Sequence, residues 1–442
     1  MKKLLAILMA SALSISVLSS CGTGNDSGSQ TGENGSPGKV TLQLWDTFVD
    51  GSLNSAMSQI ISAYEESHSD VKINRVQKEL TSLGETIKAA FMAGDAPDLL
   101  YYEGGIGTVG SYVKAGYLMD LSEAYKTYGW KDKLMSACWE VPSVGDYIYG
   151  VGHEMETMSL YFNQDIFDKV GLENPTTIEE LTDTLQKLKD AGYTPLANTM
   201  GAEWSSNMNF IGTILYAYMS QDEIKDCMEN DGSWDKESVR KAIDTIKLWI
   251  DNGYFPDHPE VHGDQEQLYF SQECAAWITG NWEVGNITKD TDFKTTIIPF
   301  PGSESCEDGG SQVNFAGGAF LVNAATEYPD ESLGFIDYAV ATPESSKVWY
   351  EVGGTVPPYT DEYEVEANEL GEHVVELLGD ETLQNTAGIN MWLGTNAFEF
   401  FSFAGQNLIV GSLDTDSFIA EADAALQKDV ESKMTKGSFT FE

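Results

Sequence analysis

Glu154 and Glu156 stand one residue apart in His153-Glu-Met-Glu, and in an extended segment alternate residues face one way, so their carboxylates share a side. Glu103, with Tyr102, ends Asp98-Leu-Leu-Tyr-Tyr-Glu and opens onto Gly104-Gly105, where the lack of side chains lets a guest come close. Trp45 and Asp46 close the alternating run from Val40, and a strand end points its last polar residue toward a binding edge. Trp204 lies beside Glu203 in the polar loop Gly201-Ala-Glu-Trp-Ser-Ser-Asn, and Trp282 follows a Gly-Asn turn. Ionised carboxylates accept hydroxyl hydrogens in charge-assisted bonds, and indole faces cover patches of C–H. The set therefore suits a guest with a hydroxyl rim and flat apolar faces. Two structural readings stay open: Glu154 and Glu156 as salt-bridge partners, and Trp45 as core.

Other chemistries find less support. The same carboxylates could form the acid pair of a glycoside-cleaving enzyme, but no G-x-S-x-G, H-E-x-x-H or P-loop accompanies them, and catalysis is not expected. Cys138, Cys227, Cys274 and Cys306 include no C-x-x-C pair and no histidine at zinc spacing, so neither metal nor cofactor is expected. One or two disulfides and buried thiols are equally compatible with them. The net charge of −45 is spread along the chain and opposes binding to nucleic acid or anionic lipid. An anionic ligand would need a basic pocket, and no lysine or arginine cluster supplies one. The acidity leaves a polyamine conceivable, and a peptide is a further non-sugar alternative.

The elements that must position these residues begin after a leader. Lys2 and Lys3 precede an apolar run, Leu4 to Leu18, too short for a membrane span, and it reads as a signal peptide over 1–20. Leu18-Ser-Ser-Cys21 resembles the bacterial lipobox, which makes Cys21 the expected lipidation site and membrane anchor. Residues 22–38 are Gly, Ser, Thr, Asn and Asp with almost nothing apolar, as in a flexible tether. The remaining chain, about 400 residues, exceeds what one core usually serves. Strand patterns at Val40, Val71 and Asp98 alternate with helical spacing at 52–67 and 86–93, the signature of a parallel α/β sheet. Pro175-Thr-Thr177 starts a further helix that runs to Lys189 and is closed by Gly192.

Several segments, in this order, resemble the extracellular sugar-binding proteins of ABC importers, the broad group that includes maltose-binding protein. They are Phe-Met-Ala-Gly-Asp-Ala-Pro-Asp-Leu at 91–99, Lys-Ala-Gly-Tyr-Leu-Met-Asp-Leu at 114–121, Tyr-Ile-Tyr-Gly-Val at 147–151 and Leu-Tyr-Phe-Asn-Gln-Asp-Ile-Phe at 160–167. Asn-Pro-Thr-Thr-Ile-Glu-Glu-Leu at 174–181, Ile-Thr-Gly-Asn-Trp at 278–282 and Gly-Gly-Thr-Val-Pro-Pro at 353–358 follow. One departure is Ser271-Gln-Glu-Cys-Ala-Ala-Trp277, where many relatives carry Gly-Lys-Ala-Ala-Met. The resemblance implies a two-lobed periplasmic-binding-protein-like fold of type II with discontinuous lobes: 39–154 plus 297–343, and 155–296 plus 344–442. Crossings are expected near 154–156, 294–298 and 343–346. It also implies a sugar or oligosaccharide held in the interlobe cleft, stacking by Trp282 and a stacking or packing role for Trp392. Gly317-Gly318 and Gly353-Gly354, with their backbone freedom, are expected to form tight passages near the cleft floor or second hinge. The expected setting is a monomer, lipid-anchored on the outer face of the cell membrane, delivering its solute to ABC permease subunits.

Overall fold

A computed structural model describes residues 39–441 except 202–206, 230–231, 262, 307–308 and 367. The leader, Cys21 and the tether lie outside the described residues, as do Glu203 and Trp204.

β1 (Val40–Asp46) buries Leu42, Leu44 and Asp46, as its alternating pattern requires. α1 (Gly51–Ser67) buries Ala56, Met57, Ile60, Ile61 and Tyr64 along one stripe. β2 (Val71–Gln77), α2 (Leu80–Ala93) and β3 (Leu99–Glu103) complete a parallel βαβαβ unit, and α3 (Ile106–Lys114) follows. β4 (Ser143–Val144) and β5 (Tyr147–Ile148) make a small hairpin before β6 (Val151–Gly152) and β7 (Met155–Asn163), which is buried along its whole length. The helix Ile178–Asp190 starts where expected: the Thr177 hydroxyl accepts from the Glu180 N–H, and Ile178, Leu181, Leu185 and Leu188 are buried. The later strands are β8 (Thr194–Leu196), β9 (Cys274–Gly280), β10 (Thr295–Pro299), β11 (Gln312–Ala316), β12 (Gly318–Val322) and β13 (Asn385–Thr386).

Two sheets result, ordered β2-β1-β3-β12-β6 and β13-β11-β7-β9-β8, with β10 also on β7. The expected parallel arrangement describes β1 to β3, β8 with β9, and β11 with β13, but both sheets are mixed. β12 is antiparallel to β3 and β6, and β7 is antiparallel to β9, β10 and β11. The reason is topological: β7 and β12 start where the chain passes between sheets and run away from that point, whereas their neighbours run toward it.

The chain first passes from one sheet to the other between Gly152 and Met155. The second passage lies away from 294–298. Thr295–Pro299 is β10, paired with β7 inside the second sheet, and the chain changes sheets at Gly317 instead of near 294–298. The third also falls later than 343–346. The helix Pro343–Val348 and the turn Trp349–Gly353 pack on α1, and Thr360 still bonds Lys133 of the first lobe. Before the helix Glu369–Leu378 packs on β10 and β7, Val356 already bridges Met155 at the start of β7. Residues 297–316 thus lie with the second sheet, and 343–353 pack on the first. Thr-Thr-Ile-Ile-Pro has the same alternation whether it links lobes or lies beside β7, so pattern could not separate the two.

Each sheet has an apolar cluster of its own on one face. A third cluster combines Trp130 and Trp349 of the first lobe with Tyr161 and Trp277 of the second, so the lobes are in contact on that side. Among the described residues no helix is long and apolar enough to cross a membrane.

Candidate functional site

The end of β3 and the first two crossings converge on three carboxylates. Glu154 and Glu156 are 2% and 7% exposed and hydrogen-bond each other, and Glu103 lies close enough to repel both. Burial is the main cause of the resulting shifts: Glu103 is pushed up to about 7, Glu154 to about 8, and Glu156 well above the usual carboxylate range. Among the described residues no lysine or arginine pairs with any of them. His153 brings no charge, because burial pushes it down to about 3; its Nδ1 is 2.9 Å from the Tyr101 hydroxyl. His153 Nε2 lies 3.3 Å from Glu154 Oε1, and Glu154 Oε2 has no hydrogen-bond partner among the described residues.

Gly317 and Gly318 are the narrow passage the sequence suggests. A Cβ at Gly317 would overlap the Glu156 carboxyl, and one at Gly318 would overlap the Tyr101 hydroxyl. Gly318 also donates its N–H to Glu156.

The second lobe supplies two turns to this junction. In the first, Asn281 accepts from the Thr157 N–H at 2.7 Å and donates to the Met155 carbonyl at 3.0 Å, which bolts the turn to β7 on both sides of Glu156. Trp282 follows it, half-buried, with its ring over Gly280 and its flank on the second lobe's cluster. In the second, the short helix Ile389–Trp392, Asn390 donates to Glu103 Oε2 at 3.2 Å and leaves its own Oδ1 unpartnered. A Cβ at Gly105 would come within 2.6 Å of the Asn390 carbonyl, so that glycine permits the approach. Trp392 is half-buried, with Lys436 Nζ 4.1 Å above its ring and a buried, unpartnered Nε1–H. Glu103, Glu154 and Glu156 thus form one acidic group, and the turns that hold it carry Trp282 and Trp392.

Other expected residues lie elsewhere. Asp46 is a correction: its two oxygens take the Arg75 guanidinium at 2.5 and 2.9 Å and the Phe48 N–H at 2.9 Å, and it is completely buried. Burial raises its pKa while Arg75 pulls it down. The two-point geometry identifies a structural ion pair, not a free acceptor. Trp45 is half-buried on the first lobe's cluster, with Lys78 Nζ 4.5 Å over its ring. Tyr102 points opposite to Glu103, its hydroxyl lying against Gly84 of α2. Gly354 has φ 75° and passes close to Gly285, a tight passage away from the carboxylates. A groove of about 530 Å³ lined by Ile287, Thr291, Phe293, Glu351 and Asn368 touches none of the three carboxylates. The four described cysteines are free and buried. Among the described residues no cluster could hold a metal ion.

Arg75, Asn281 and Asn390 were not singled out from sequence. Arg75 had a signal: it is one of two arginines in a chain of 70 acidic residues and lies on the strand beside Asp46. Asn281 sat inside a quoted motif. Nothing in the sequence marked Asn390.

Two α/β lobes that exchange the chain repeatedly beside a buried acidic junction define a two-lobed binding protein. Residues 59–371 match the bacterial extracellular solute-binding proteins, and the chain belongs to that family. It is 23% identical over 421 residues to the maltodextrin-binding protein MdxE of Bacillus subtilis, covering 92% of this chain and 94% of that one. It is also 23% identical over 375 residues to an ABC transporter extracellular-binding protein of Pyrococcus horikoshii, covering 81% of each. Among solved structures, a chitin oligosaccharide binding protein superposes with a TM-score of 0.79 at 18% identity, over 88% of this chain and 98% of the other.

Proposed function

We propose that the protein captures a sugar or short oligosaccharide where the two lobes meet and passes it to the permease of an ABC importer. The observation that carries this reading is the cation-free acidic group of Glu103, Glu154 and Glu156. Buried carboxylates without cations are costly, and hydroxyl donors relieve that cost without bringing a charge. Asn390 Oδ1 and Trp392 Nε1 add a free acceptor and a free donor, and the indoles offer C–H stacking surface. The names of MdxE and of the chitin oligosaccharide binding protein support a carbohydrate, and that of the Pyrococcus relative supports an ABC partner.

In the same reading the protein is a binder and not a glycosidase. Catalytic carboxyl pairs stand about 5 Å or more apart with the sugar between them, whereas Glu154 and Glu156 share a hydrogen bond. The protein acts as a monomer outside the cell, and acyl chains on Cys21 hold it to the membrane through the 22–38 tether. A polyamine is the second reading, favoured by three carboxylates that lack a cation.

A thermal-shift screen of maltodextrins, chitin oligosaccharides and spermidine separates these readings, because only a ligand that prefers the folded state raises Tm. A saccharide is expected to do so. A shift with spermidine alone, suppressed by salt, would overturn the carbohydrate reading.

A further inference from the structure

We propose that the segment Met434–Phe441 is a strap that latches the second lobe to the first and positions Trp392 through Lys436. The helix Thr415–Glu431 belongs to the second lobe, packing on the helices Thr395–Ile409 and Glu237–Asp251. It is closed by Lys433 in the left-handed region at φ 56°, with the Met434 N–H donating to the Asp429 carbonyl at 2.8 Å, and this turns the chain away. Beyond that point the chain meets the other lobe, while Lys436 Nζ spans both, 4.1 Å over the Trp392 ring and 3.5 Å from the Glu140 carbonyl. The Met434 methyl would lie 3.1 Å from a Cβ on Gly110 of α3. Phe439 packs on the first lobe's cluster, and the Phe441 ring is 5.0 Å from Tyr147 of β5. A turn closed by the Phe439 N–H on the Thr435 carbonyl at 2.9 Å sets the two rings edge to face, 5.4 Å apart.

The strap is seated but not sealed. Phe441 is 52% exposed, and beside its contact with Tyr147 a cavity of about 390 Å³, lined by Val144, Tyr147, Phe439 and Phe441, remains between strap and hairpin. Such a contact resists lobe opening without forbidding it. Lys436, held over the Trp392 face by the same segment, turns that indole from a stacking surface into an edge donor, since its buried Nε1–H has no protein partner. The latch requires no ligand, whereas the role of the Trp392 edge rests on the binding reading above.

The latch is tested on the apo protein, with a chain ending at Lys433 and with F439A/F441A, which keeps the helix end. Small-angle scattering is expected to give a larger radius of gyration for both variants, with circular dichroism unchanged. An unchanged radius in the folded double variant overturns the latch, whatever the protein binds. With a saccharide that stabilises the wild type, both variants are expected to bind roughly three- to ten-fold more weakly, as a smaller competent fraction requires. W392F, which keeps the ring and loses the N–H, is expected to bind as weakly as W392A, and K436M to alter the near-ultraviolet tryptophan signal. W392F binding like wild type overturns the edge-donor role. A wild type that binds no saccharide removes the carbohydrate reading and leaves the scattering result to decide the latch.

Discussion

Asp46 at the end of β1 and Glu156 at the start of β7 are both buried carboxylates whose charge reaches the Tyr101 hydroxyl, yet only Asp46 has a cation. Asp429, also fully buried, accepts from the Asn396 and Ala397 backbone N–H groups and from the Asn396 side chain, at 2.7 to 2.9 Å. Asp46 and Asp429 have every demand met within the protein. Glu154 and Glu156 have each other, one glycine N–H and the uncharged His153 ring 3.3 Å from Glu154 Oε1, and Glu154 Oε2 is left over among the described residues. Burial alone therefore does not mark a binding site. What distinguishes the junction is burial with incomplete compensation, which a guest can supply.

The sharpest way to break this comparison is to remove each carboxylate in turn. D46A strands Arg75, only 11% exposed, and should cost roughly 3–5 kcal/mol in denaturant unfolding, as breaking a buried pair does. A loss below about 1 kcal/mol would place Asp46 with the ligand group instead. E156Q should behave in the opposite way: the apo protein folds normally and is no less stable at pH 8, while saccharide affinity by calorimetry falls roughly 10- to 100-fold, the range for a buried hydrogen-bond demand left unmet. If E156Q unfolds the protein and leaves the affinity of the folded fraction intact, the two carboxylates are alike.

The pH dependence sharpens the contrast further. Glu103 and Glu154 have folded values of about 7 and 8 against an ordinary 4.5, so between pH 4.5 and 8 the folded state holds protons that the unfolded state has lost. Stability of the apo protein must then fall as pH rises through that window. Glu283, pushed up to about 8 by burial, adds to the same slope. The expected decline from pH 5 to 8 is on the order of 1–2 kcal/mol after relaxation, read as a falling Tm. Saccharide affinity should move the other way and tighten with rising pH, since hydroxyl hydrogens bind the ionised carboxylates best. E154Q/E156Q should lessen both slopes and leave the share of Glu103 and Glu283, and a double variant with the wild-type slopes would rule out the pair as a source.

How much of this was legible in the sequence follows the range of each interaction. The alternation of β1, the stripe of α1 and the Thr177 cap are local, and all three stand as read. Glu-x-Glu put two carboxylates on one side because alternate positions share a face within one strand, whereas the first crossing followed from the family resemblance. Asp46 was misread because its partner is 29 residues away on β2, and the pairing depends on strand register. Asn390 was invisible because the contact with Glu103 spans 287 residues and joins the two lobes. The crossings at 317 and beyond 353 were misplaced because a strand at the hinge and a strand at a sheet edge have the same local pattern.

The smallest expected effect separates the two indoles. Trp282 lies over Gly280 beside the turn that Asn281 fixes to β7, whereas the Trp392 ring has Lys436 on one face. Stacking therefore falls more to Trp282. W282A would mix lost stacking with lost packing, because the ring also touches the second lobe's cluster. W282L keeps much of the apolar volume and removes the flat face, so it should weaken saccharide binding roughly three- to ten-fold with little change in Tm, the range for one aromatic contact. Equal losses of affinity in W282L and W392L, with W392F unaffected, would mean that both rings stack and that Lys436 leaves the ligand-facing side of Trp392 open.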